Sequence, residues 1–425
     1  MAATKKDRHS WFTVIGLLLR GFMLAVASSG DNGSRHHLRG KLRKQGSMGI
    51  KRESKASIQN LLKKGAEEGV YPGAVLLVAQ KGHMVFFEQA GNRALLPEPL
   101  PMEKDTPFDL ASLTKPLATT LSIMKLVDQE KVHPDQPLGD LLGRPVPPDK
   151  ATITLRFLLA HCAGFAAWEP FYLELVDEKF EKRKALLREK LLKMPLKYSP
   201  GKKTVYSDLG FMILGWVVEE TTGDTLPQFL NHHFLAPLSL GKELFFGGIN
   251  PQHHKTEFAA TEDCPWRKRI IQGEVHDENA CALGGYSGHA GIFGTAEGVY
   301  RLANLLREHF LKLRKDYLHP EIVRAFFEKQ HLVADSTWAL GWDTPSPLNS
   351  TAGSHFSQSS VGHLGFTGTS LWMDLHHDVM VIFLTNRIHP SRQNTGIRAF
   401  RPKLHNLVME HLGINDLSIR NPYRG

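Results

Sequence analysis

The chain has 425 residues, 42% of them apolar and 22% charged, which are ordinary values for a folded protein with room for one large domain or two modest ones. Its formal net charge of +9 is concentrated at one end: residues 1–47 carry nine Lys/Arg and two Asp, while the remainder is nearly balanced at +2. A body this close to neutral excludes a basic nucleic-acid-binding face. The three scattered cysteines, Cys162, Cys264 and Cys281, supply neither a disulfide framework nor a metal spacing.

At the N-terminus, Lys5, Lys6 and Arg8 precede an apolar stretch from Trp11 to Ala27, and Ala25-Val26-Ala27 is similar to a signal-peptidase site. Arg20 interrupts the run, which is too short to span a membrane comfortably. The basic piece "GSRHHLRGKLRKQGS" then reads as disordered. Residues 1–47 are thus a signal-like or dispensable extension; the protein is exported if the signal is real and cytoplasmic otherwise. The folded body is expected over 48–415, with a tail at 416–425. Within the body, "SIQNLLKKGAEEG" predicts an amphipathic helix closed by Gly69, and "GAVLLVAQKGHMVFFEQAG" a hairpin around Lys81-Gly82. Residues 124–290 read as helical pieces broken by Pro and Gly. "TAEGVYRLANLLREHF" predicts a further helix, "HLGFTGTSLWMDL" and "VMVIFLTN" two strands joined by His376-His377-Asp378, and 396–412 a closing helix. Strands at both ends with helices between them predict one sheet fed from both termini around a helical insertion.

"FDLASLTKPLATT" places Ser112 and Lys115 three residues apart, just before Pro116 and an apolar run at helical spacing. Proline is tolerated near a helix start, so a helix begins within about a turn of Ser112, where the hydroxyl and amine share a face. Free N–H groups and the helix dipole there favour a developing oxyanion. Three other S-x-x-K strings, Ser122/Lys125, Ser199/Lys202 and Ser239/Lys242, lack this context. Taken alone, the motif is equally consistent with a plain helix N-cap.

A nucleophilic serine needs a base, a second proton carrier and an oxyanion hole. Lys115 can serve as base only if burial or a neighbouring cation lowers its pKa. Tyr206, in "KKTVYSDLGFMILG", lies just before a helix and could carry a proton, its pKa lowered by a nearby Lys115; Tyr286, in "GGYSGHAG", is a rival, and either could simply pack its ring. Three glycines in the strand-like "GHLGFTGTSLW" point either to close approach of a ligand or to a bulge or loop. There is no G-x-S-x-G, H-E-x-x-H or P-loop string. His276, Asp277 and His289 match no standard metal spacing, so no metal is expected.

In order, S-x-T-K at 112–115, Y-S-D at 206–208 and H-L-G at 363–365 resemble the three motifs of the serine β-lactamase and penicillin-binding-protein superfamily. The long gaps between them are similar to the class C β-lactamases and their esterase relatives, the family VIII carboxylesterases. "LLAHCAGF", "VHDENACALGG" and "GHAGIFGTAEG" also look like stretches of this group, and the likeness spans about residues 50 to 412. The resemblance implies an α+β, β-lactamase/transpeptidase-like fold: an antiparallel sheet flanked by helices with an inserted helical subdomain. It implies a serine hydrolase acting through an acyl-enzyme on a small ester or amide, without cofactor. Ser112 is then the nucleophile, Lys115 its proton acceptor and Tyr206 the relay to the leaving group. Asp208, His363, Gly365 and Phe366 line the substrate, with the Ser112 and Phe366 N–H groups as oxyanion hole. The third motif lacks the usual lysine and threonine: His363, at an unperturbed pKa of about 6.5, is mostly neutral near pH 7, and Leu364 has no donor. Asp208 replaces a neutral asparagine and would repel an anion. These departures favour simple esters over β-lactams; a β-lactamase or D-amino-acid peptidase is the alternative, and a catalytically inactive binding protein the alternative from another class. Oligomeric state is not readable from the sequence.

Overall fold

The computed structural model describes residues 50–247 and 254–415. The signal-like extension 1–47 and the tail 416–425 lie outside the described residues. Helix α1, Arg52–Glu67, leads into strand β1, Gly73–Gln80, and strand β2, His83–Ala94. Lys81 and Gly82 both have positive φ, 51° and 75°, as a tight two-residue hairpin turn requires. A short strand β3, Leu100–Pro101, follows. Helices α2, Leu121–Asp128, α3, Asp208–Thr222, and α4, Ala296–Phe310, come next. The chain then returns through β4, Ser360–Leu364, β5, Ser370–Asp374, and β6, Val379–Thr385, and closes with α5, Ile397–His411.

The main sheet has six strands in the order β3-β2-β1-β6-β5-β4, with every neighbouring pair antiparallel. Its centre joins the two ends of the body, Ala74 pairing with Thr385 and Val78 with Val381. Strand β1 is a near-continuous apolar run because both its faces are covered. Leu76 and Val78 pack with Ile58 and Leu62 of α1 and Phe400, Leu404 and Val408 of α5. Val75 and Leu77 face the other way, into a core shared with Leu302 and Leu306 of α4 and with the helical insertion. At about 1.5–3 kcal/mol per fully buried large aliphatic or aromatic side chain, this double covering is a major source of stability.

Two features differ from the sequence reading. "HLGFTGTSLWMDL" is two strands, because the turn at 365–369 folds β5 back beside β4, with Ser370 opposite Leu364. The segments Phe108–Asp109, Leu244–Phe246 and Ile292–Gly294 form a small antiparallel sheet that helical periodicity does not reveal. Among the described residues, no helix is long and apolar enough to cross a membrane.

Candidate active site

The small sheet fixes the segment before Ser112. Phe108 and Asp109 pair with Gly294 and Phe293, and the Leu110 N–H donates to Ile292 O at 3.1 Å. Ala111 then takes φ +49°, a left-handed conformation strained for a residue with a Cβ. Its surroundings over-determine it: the Ala111 N–H donates to Asp109 Oδ1 at 2.9 Å, and Thr114 Oγ1 donates to Ala111 O at 2.6 Å. Ser112 lies in a short 3-10 turn, Ala111–Leu113, followed by a π-helix, Lys115–Thr120, that runs into α2. The expected helix start is present, but as a tighter 3-10 turn at Ser112 and then a wider π turn, not the regular α-helix that the apolar spacing predicts. Such π segments are frequent at functional sites.

Ser112 and Lys115 meet. Lys115 is fully buried, and its Nζ donates to Ser112 Oγ at 3.0 Å, Asp208 Oδ1 at 2.6 Å and His289 O at 3.2 Å. All three ammonium protons are thereby placed. Burial alone would lower the Lys115 pKa, but Asp208 and the Tyr206 hydroxyl outweigh it, and the pKa is raised. The expectation of a lysine made neutral by burial or a neighbouring cation is therefore corrected: Lys115 is held as an ammonium.

Tyr206 is the tyrosine at the site. Lys115 Nζ lies 4.8 Å from its ring centroid, and its hydroxyl interacts with Lys115 and Ser112. The residue is 36% exposed, but desolvation of its hydroxyl raises its pKa by more than Lys115 lowers it, so the expected lowering is corrected. Ser207 caps α3, accepting from Gly210 N at 3.2 Å, and this turns Asp208 toward Lys115. Asp208 borders the cleft, but its charge is answered by Lys115, so it presents less net charge to an anion than the sequence suggests. Tyr286 lies elsewhere, its hydroxyl accepting from Lys184 at 2.8 Å.

Asp208, Ser112 and Tyr206 line a cavity of about 670 Å³ together with His363, Gly365 and Phe366. Its third wall is the end of β4. His363 is 2% exposed, and burial, with Lys115 nearby, lowers its pKa to about 3. It therefore stays neutral through the mildly acidic range in which an ordinary histidine charges. A Cβ at Gly365 would lie 2.6 Å from Leu110 O and 2.0 Å from Thr369 Oγ1, and one at Gly362 would meet the Trp372 ring at 2.3 Å. The glycines thus make room for the protein's own chain, not for a ligand. The hydroxyls of Thr367 and Thr369 donate to the carbonyls of Asp109 and Leu110, tying this wall to the Ser112 segment. The Phe366 carbonyl is pinned by Arg387 at 3.0 and 2.6 Å, and among the described residues nothing accepts the Phe366 N–H.

Several site residues escape sequence reasoning. Asp109 is buried and accepts the N–H groups of Ala111 and His276. Asp277 Oδ1 accepts from Ala280 N and lies 2.9 Å from His289 Nε2; burial would raise its pKa, but His289 holds it well below the carboxylate range. Asp208, Asp277 and His289 each offer one ligand atom within 4.8 Å of one another, and Oδ1 of Asp208 is engaged by Lys115 and Oδ1 of Asp277 by His289 and Ala280 N. Arg392 bonds to Glu262 and Glu278. His161 packs its ring 4.7 Å from Tyr206 and 4.3 Å from Trp338. The strings "LLAHCAGF" and "VHDENACALGG" held His161 and Asp277, but nothing local showed that they converge on Lys115.

The Beta-lactamase family profile matches residues 58–401. The chain belongs to the Beta-lactamase family. Among its relatives, a Bacillus subtilis (strain 168) protein named N-acetylmuramyl-L-alanine amidase is 31% identical over 75% of this chain and 78% of its own length. An Escherichia coli (strain K12) protein named for D-alanyl-D-alanine carboxypeptidase activity is 29% identical over 75% of this chain and 79% of its own. Among solved structures, EstCE1, a hydrolase with promiscuous acyltransferase activity, superposes with TM-score 0.64 at 23% identity, covering 82% of this chain and 99% of its own. The penicillin-binding-protein homologue from Pyrococcus abyssi gives 0.63 at 17% identity, covering 86% and 78%. These likenesses bear out the β-lactamase/transpeptidase-like fold implied by the three motifs.

Proposed function

We propose that this protein is a serine hydrolase that forms an acyl-enzyme on Ser112. The observation that carries the reading is the bond from the Lys115 ammonium to Ser112 Oγ beside a cleft that Ser112 and Tyr206 both line. Because Lys115 rests as an ammonium, it takes the Ser112 proton only by giving one of its own to Asp208, 2.6 Å away. Ser112 Oγ bonds to the carbonyl carbon, and its proton moves to Lys115 as Asp208 becomes a neutral acid. The tetrahedral oxyanion is held by the Ser112 and Phe366 N–H groups. Collapse expels the leaving group, which is protonated through Tyr206 from Lys115, and Asp208 returns its proton to Lys115. Water then repeats the sequence to release the acid. The chain's own residues relay every proton, and the route calls on no cofactor.

The reaction suits a small ester without a carboxylate near the scissile bond, because His363 is neutral and the cleft's Arg392 is engaged by two glutamates. A second reading, cleavage of an amide in a muramyl or D-alanyl peptide, is supported by the names of the relatives. The hydrolase reading is tested with a fluorophosphonate probe: it labels the wild-type chain but not Ser112→Ala. Labelling that survives this substitution, or no labelling at all, contradicts it and favours an inactive binding protein.

A further inference from the structure

Three of the carboxylates lining the cleft face a group that can carry positive charge: Asp208 faces Lys115, Asp277 faces His289, and Glu278 bonds to Arg392. Asp109 has no such partner and accepts two backbone N–H groups that fix the Ser112 segment and His276. Asp343 also has none. Thr337 Oγ1 at 2.6 Å and Thr344 N at 2.9 Å both donate to its Oδ1, and among the described residues it has no ion pair. Lys329 acts on it only through a weak field, and burial pushes its pKa up to about 6. An anion kept without a counter-ion in a cleft is a mark of a functional site.

Asp343 does not stand alone. Its backbone exchanges hydrogen bonds with Gly362 at 2.8 and 2.9 Å, one residue before His363 in β4, and Asp343 and His363 line the same cleft. His363 Nδ1 bonds to Leu364 O at 2.8 Å, so the neutral ring carries its lone pair on Nε2. That nitrogen is buried and unpartnered on a residue that lines the cleft. Trp338, bridged to Asp343 through the backbone, sets its ring 5.7 Å from His363. A carboxylate, an imidazole lone pair and an indole face all attract a cationic N–H donor, and the desolvated acceptors gain most from one.

We propose that Asp343, His363 and Trp338 form a subsite for a positively charged nitrogen of the substrate, a primary ammonium or guanidinium. The inference rests on the Ser112 hydrolase reading and adds to it a substrate class. It sets this cleft apart from one built to hold a substrate carboxylate, because the cations nearby are already engaged, Lys115 by Asp208 and Arg392 by Glu262 and Glu278.

The test compares three p-nitrophenyl esters of similar length on the full chain: aminohexanoate, heptanoate and the adipate monoester. The aminohexanoate is expected to exceed heptanoate in kcat/KM by about tenfold or more, with adipate the poorest. Asp343→Asn is expected to bring the aminohexanoate-to-heptanoate ratio close to one. A wild-type preference for heptanoate, or a ratio that survives the substitution, overturns the subsite. If none of the esters is hydrolysed, the hydrolase reading fails and the subsite is judged by binding. Hexylammonium chloride should then raise the Tm of the unsubstituted chain more than hexanoate or hexanol does, and equal effects overturn it. This second comparison also decides the matter if the variant does not fold.

Discussion

Lys115 Nζ lies 2.6 Å from Asp208 Oδ1, with the amine fully buried and the carboxylate at the cleft edge. This pair replaces the neutral partner expected beside a lysine base, and it sets the pH behaviour of the site. If Asp208 is the final proton acceptor, activity needs its carboxylate. Asp208→Asn removes that acceptor and leaves Lys115 to act as the free amine. The acid limb of kcat/KM should then move to higher pH, to the new Lys115 pKa. If Lys115 alone were the base in the wild type, losing the carboxylate that raises its pKa would move the limb to lower pH.

Tyr206→Phe should lower kcat by about 100- to 10,000-fold with little change in Tm, because it removes a proton carrier and leaves the ring in place. Tyr286→Phe loses only the bond from Lys184 and should stay within a few fold of wild type. A large loss at Tyr286 with a small one at Tyr206 would reverse their assignment.

His363 separates two explanations of substrate charge preference. Burial and Lys115 lower its pKa to about 3, so it is neutral at pH 7 and remains so at pH 5. The kcat/KM ratio of p-nitrophenyl butyrate to nitrocefin should favour the butyrate at pH 7, and protonation of His363 contributes nothing to any change down to pH 5. His363→Lys should raise the relative rate on nitrocefin at pH 7 by supplying the missing cation. An unchanged ratio in that variant removes His363 from substrate discrimination.

Glu262 supplies a stability test away from the reaction. Burial raises its pKa, but His276 and Arg392 more than offset this and hold it at about 2. A carboxylate depressed by folding stabilises above its unfolded pKa of about 4.3, and that stability is lost as pH falls toward 2. Glu262→Gln should cost on the order of 2–3 kcal/mol at pH 7. The gap from wild type should close as pH drops through that window, read by denaturant unfolding. A gap that stays constant with pH would show that packing, not charge, accounts for the loss.

The parts of this architecture legible in the sequence are those with local causes. Lys81-Gly82 between two apolar runs marks the hairpin, and Pro116 before a helical pattern marks the turn that brings Ser112 to Lys115. The residues hidden from such reading act across long separations. The split between β4 and β5 is imposed by Leu110 and Thr369 pressing on Gly365, contacts that no strand pattern contains. The raised pKa of Lys115 depends on a carboxylate 93 residues away. The sequence carries no motif at Asp343, and only the folded chain places it on the same cleft as His363, with its backbone paired to Gly362.

The most direct measurement of the central claim is the mass of the enzyme caught in mid-reaction. Quenching the wild-type chain with a slowly turned-over ester and mapping its peptides should place one acyl mass on the peptide that contains Ser112. Ser112→Ala should carry none, and Ser122→Ala should carry the same adduct as wild type. An adduct on any other residue, or turnover without one, contradicts the account.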